Sequence, residues 1–103
     1  MTHSDSELRQ LASKLGATRA RLLVKMKSKS ITTEERLQLL TTTLDSADIK
    51  LSQGQSASAE EVFNSAVALA SAFAAEGVSC FPFFSRLYLA RFFSRKFLLS
   101  SRG

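Results

Sequence analysis

The sequence predicts an all-α protein, a small helical bundle of three to four helices whose first two form an antiparallel hairpin. Three observations lead there. The chain has 103 residues with only four Gly and one Pro, too few breakers for a many-turned β fold. Apolar residues recur at spacings of three and four over long stretches, the period of a helix with one buried stripe. Ser or Thr stands three residues ahead of Glu at three places: Ser4 with Glu7, Thr32 with Glu35, and Ser58 with Glu61. This is the capping-box pattern, in which the hydroxyl accepts from one backbone amide and the carboxylate reaches back to another.

The first helix is expected over residues 5–29. Leu8, Leu11, Leu15, Thr18, Leu22 and Met26 fall on one stripe, and Lys25, Lys27 and Lys29 gather at its end, where cations favour the negative helix terminus. Gly16 interrupts the pattern and is expected to bend or loosen it, since Gly costs roughly 1 kcal/mol against Ala in a helix interior. A link of about three residues leads to the second helix, residues 33–51, and a link so short makes the two helices neighbours. Leu37, Leu40, Leu44, Ala47 and Leu51 form its seam; Leu39 and Ile49 fall off it and call for a second contact. The run Thr41-Thr42-Thr43 is β-branched and weakens the middle.

Gly54 among small polar residues marks a loop over residues 52–57. The third helix is expected over 59–76, ending at Gly77 as a left-handed cap. Val62, Ala66, Leu69 and Phe73 make one stripe, with Phe63, Val67, Ala70 and Ala74 beside it. This wide, alanine-rich face suggests the central helix of the bundle. Pro82 then opens a fourth helix, residues 83–99, rich in aromatics, in which apolar residues run nearly all round and are interrupted by Arg86, Arg91, Arg95 and Lys96. A helix apolar all round is normally buried, so this one either completes the core or mediates association.

Length and a hydrophobic fraction of 45% fit a single domain spanning 1–103 with one core. Cys80 is the lone cysteine, which excludes a disulfide-stapled scaffold and makes a reducing cytoplasm the expected compartment. Residues 1–11 lack the apolar run of a secretory signal. No uncharged apolar stretch reaches the length of a membrane span.

Charge is laid out in blocks. Residues 1–29 are net +5, residues 30–77 net −5 and residues 78–103 net +5. Two consequences compete: the acidic middle neutralises its basic neighbours by packing between them, or a basic surface stays free for phosphate or anionic lipid. Enzyme chemistry finds no foothold. With one His, His3, and one Cys, a zinc site or an activated thiol lacks its partners. The adjacent pairs Glu34-Glu35 and Glu60-Glu61 are accounted for by helix starts. No phosphate loop or nucleophile elbow occurs, and no cofactor is expected.

By elimination the sequence reads as a small regulatory or adaptor protein working by helix-mediated protein–protein contact, with a homodimer as the first expectation. The residues singled out for that interface are Phe83, Phe84, Leu87, Tyr88, Phe92 and Phe93. Two alternatives belong to other classes. A nucleic-acid accessory role would use Arg19, Arg21, Lys25, Lys27 and Lys29 on phosphates. A peripheral role on an anionic membrane surface would use the aromatic and basic C-terminal segment.

Overall fold

A computed structural model describes residues 5–80, 83 and 85–87. Three helices run through them: α1 over Asp5–Lys27, α2 over Thr33–Ser52 and α3 over Ser56–Ala75. The bundle is all-α, with no strand among the described residues. None of these helices is long and apolar enough to cross a membrane.

Each helix is finished by the same device. At the end of α1 the Ser30 amide donates to the Lys25 carbonyl at 3.0 Å and the Lys29 amide to that of Met26 at 3.2 Å. At the end of α2 Gln55 reaches Lys50 at 2.9 Å and Gly54 reaches Leu51 at 3.0 Å; after α3 Val78 reaches Phe73 at 2.9 Å and Gly77 reaches Ala74 at 3.0 Å. This paired bonding is the Schellman motif, which satisfies the orphan carbonyls and needs a left-handed residue at its corner. Gly54 (φ 75°) and Gly77 (φ 84°) supply it twice, and Lys29 (φ 58°) supplies it at the end of α1. The corner at Lys29 explains why α1 stops at Lys27 rather than at residue 29. Helix α1 runs unbroken through Gly16, at which an added Cβ would meet nothing within 4 Å.

The start of α2 is the capping box expected from its sequence. The Glu35 amide donates to Thr32 Oγ1 at 3.1 Å, and the Thr32 amide donates to Glu35 Oε1 at 3.1 Å. The start of α3 differs from expectation. The Gly54 corner turns the chain within Gln53–Gln55, and the Gln55 carbonyl already accepts from the Ala59 amide at 2.9 Å. The helix therefore begins at Ser56 with Gln55 as its cap and no side-chain capping bond. Ser58 lies inside the first turn, so the predicted Ser58–Glu61 box does not form. The Ser4–Glu7 box and most of the expected fourth helix, residues 83–99, lie outside the described residues; Ser85–Leu87 are helical.

The middle of the bundle is α2, not the alanine-rich α3. Helix α2 packs against both α1 and α3, because short links on either side leave each neighbour little choice of surface. Its Leu39, Leu40, Leu44 and Ala47 are buried beside Leu22 of α1 and Val62, Phe63, Ala66 and Phe73 of α3. Leu39, which fell off the expected seam, is fully buried in the core cluster to which all three helices contribute. On α3 the small residues Ala68, Ala72, Ala74 and Ala75 are exposed. Thr42 and Thr43 enter the core by donating their hydroxyls back to the carbonyls of Gln38 (2.7 Å) and Leu39 (2.8 Å), so their burial leaves no hydroxyl proton unmatched.

Ion pairs fix the ends of the helices against one another. Lys25 near the end of α1 pairs with Glu35 at the start of α2. Arg36 Nε lies 3.0 Å from Glu76 Oε2, just past the end of α3, although the two are not aligned as a hydrogen bond. The end of α1, the start of α2 and the end of α3 thus share one end of the bundle. Helices α1 and α3 run in the same direction, with α2 between them running in the other.

Candidate functional site

The segment after α3 returns to the bundle. Val78, Cys80, Phe83 and Leu87 are half-buried against the core cluster. Beyond them, Arg86 Nη2 donates to Asp45 Oδ1 and to Asp48 Oδ2, each at 2.8 Å. A cation of the C-terminal block thereby lies on two carboxylates of α2. With Lys25 on Glu35, this gives the charge blocks their first use: the acidic middle is gripped from both sides. The sequence-predicted interface residues Phe83 and Leu87 spend part of their surface on this packing. Phe84, Tyr88, Phe92 and Phe93 lie outside the described residues.

The five cations proposed for phosphate contact do not form one surface. Successive residues on a helix are about 100° apart, which sends Arg21 and Lys25 to one side of α1 and Arg19 and Lys27 to the other. Lys25 is held by Glu35. Arg19 is half-buried, with Nε enclosed and lacking a hydrogen-bond partner. Arg21, Lys27 and Lys29 are exposed. Lys29 serves as the left-handed corner.

Cys80 is half-buried, with Sγ 4.0 Å from the Val78 carbonyl. Burial pushes its thiol pKa up, which lowers the thiolate fraction and with it the reactivity. Among the described residues no three His, Cys, Asp or Glu side chains are grouped to hold a metal ion.

What the geometry does build is a groove. Because α2 sits in the middle, α1 and α3 meet only sparsely among the described residues. Between them lies an open, largely apolar trough of about 300 Å³ lined by Arg19 and Leu23 of α1 and by Ser65, Ala68, Leu69 and Ala72 of α3. On α1, Val24 is 66% exposed and Leu11 38%. Sequence reasoning missed Leu23, Ala68 and Ala72. The available signal was the run Leu22-Leu23-Val24, wider than a single stripe requires. Comparison with protein-family models, curated proteins and solved structures returned no match for this chain.

Proposed function

We propose that this chain is a non-enzymatic regulatory or adaptor protein that works by presenting helix faces to another protein, a second copy of itself first. The observation that supports this reading is the unclosed space between α1 and α3, apolar at Leu23 and Leu69 and floored by small residues. A small domain has little apolar surface to leave unburied, and Leu11 and Val24 of α1 stand exposed in addition. Two helices set on either side of a common partner leave room for a third to lie between them.

Light scattering of the full chain across a range of concentrations tests the reading. A mass of twice the chain, falling to a single chain on dilution, is the expected result. A single-chain mass at every concentration would remove self-association from the proposal.

A further inference from the structure

We infer that the outer face of α1 binds the backbone of double-stranded DNA, the helix lying in the major groove with cations on its two flanks reaching the phosphates on either side. The inference goes beyond the protein contacts proposed above and uses a different face of α1 from the one that lines the trough with α3. From Arg9 to Lys29 the chain contains no acid. Arg9, Lys14, Arg21 and Lys27 are exposed, and none of them has an ion-pair partner among the described residues. The other cations of this stretch are occupied: Lys25 pairs with Glu35, Arg19 is half-buried and Lys29 forms the left-handed corner.

At about 100° per residue the exposed cations fall on two lines along the helix. Lys14 and Arg21, two turns apart, share one line; Arg9 and Lys27, five turns apart, share the other. The lines are separated by about 120–140° around the helix axis. Between them lie Gln10, Ser13, Ala17, Ala20 and Val24, all exposed and uncharged, on the side turned away from the buried Leu8 and Leu22.

This arrangement selects the partner. A membrane surface would need bulky apolar side chains along the middle of the face, and Val24 alone meets that need. A single acidic helix lying on the face would meet its uncharged middle and leave the flanks to reach around it. B-form DNA instead presents two phosphate rows bordering a major groove about 12 Å wide, which admits a helix of about 10–12 Å diameter. The small middle residues let α1 enter, and each flank then meets one row. With little besides Gln10 and Ser13 to read base edges, phosphate charge leads the binding and sequence matters little. Glu35, Asp45, Asp48 and Glu76 are already matched by Lys25, Arg86 and Arg36, which lessens their repulsion of phosphate.

Fluorescence anisotropy of a labelled random-sequence DNA duplex of about 20 base pairs, titrated with the full-length chain, tests the interface. Neutralising a phosphate with each of these cations should weaken binding on the order of 100-fold between about 50 and about 200 mM salt. Lys14→Gln with Arg21→Gln, and separately Arg9→Gln with Lys27→Gln, should each lower the slope of log affinity against log salt by about 2. All of these positions are exposed, so the fold is retained, as helical ellipticity will check. Lys50→Gln, which removes a cation from α2, should leave the slope unchanged. A loss confined to one flank would refute the seating astride the groove. An equal loss per charge in Lys50→Gln would mean that net charge alone is read, and the face would lose its assignment. Equally tight binding to an RNA duplex, whose major groove is too narrow for a helix, would contradict the groove geometry. No duplex binding at about 50 mM salt, with or without retention on phosphatidylserine vesicles, would overturn the inference outright.

Discussion

Lys29 occupies a backbone position that the other two helix ends assign to glycine. All three corners make the same pair of amide-to-carbonyl bonds, yet a residue with a Cβ pays a left-handed penalty there. Lys29→Gly should raise stability by about 0.5–1 kcal/mol, after allowance for the extra freedom of glycine in the unfolded chain. Gly77→Ala should lower it by about 1 kcal/mol through the backbone alone, since nothing lies within 4 Å of the added methyl. Urea titrations of the two variants, showing midpoints moved in opposite directions, would check the pair. Glu35 gives a second expectation at this scale. Its carboxyl pKa is held below the ordinary 4.5, first by the hydrogen bond from Lys25 and then by the Thr32 amide. A carboxylate with a lowered folded-state pKa stabilises the fold above its unfolded value, and that contribution drains away as pH falls through the folded one. Stability should therefore drop on acidification below 4.5. Replacing Lys25 by Met should flatten that part of the pH profile, as followed by helical ellipticity in urea.

At the scale of an element, what decided each boundary was the competition between caps and corners. Thr32 and Glu35 were legible because the corner at Lys29 leaves Ser30 and Ile31 ahead of Thr32, and the box forms as the residue types demand. Ser58 and Glu61 carry the same pattern and do not form it. A capping motif states a local preference, whereas the left-handed corner at Gly54 reverses the chain early enough for helical bonding to begin at Gln55. The segment after Gly77 is an element of another kind, fastened by half-buried side chains and by the Arg86 contacts to Asp45 and Asp48. Exposed ion pairs contribute about 1 kcal/mol or less and are screened by salt. Arg86→Gln, or raised salt with the original chain, should loosen the segment and quicken alkylation of Cys80 by up to about five-fold. An unchanged rate in the variant would show that apolar packing alone holds the segment.

For the whole molecule, the charge blocks were readable in advance and the layering was not. Seven acids between two basic blocks foretold contacts such as Lys25 with Glu35 and Arg86 with Asp45. The position of α2 in the middle followed from link lengths and burial, which periodicity does not encode. Alanine stripes look the same whether they face a core or a groove, so the exposed Ala68 and Ala72 of α3 could not be told from the buried Ala66. The groove was invisible for a related reason: it is a relation between two helices distant in the chain, and neither helix carries a motif for it.

The order of the helices in space is the same as their order along the chain, and this bears on how the protein reaches its fold. Among the described residues the two large helix–helix interfaces join consecutive helices, α1 with α2 and α2 with α3. Contacts of such short sequence separation demand little loop closure before they begin to stabilise the chain, the condition under which helical domains fold in microseconds to milliseconds. The same order lets the chain come apart from its beginning. Helix α1 can leave the surface of α2 while α2 and α3 keep their mutual packing, so its detachment is the step with the least to undo.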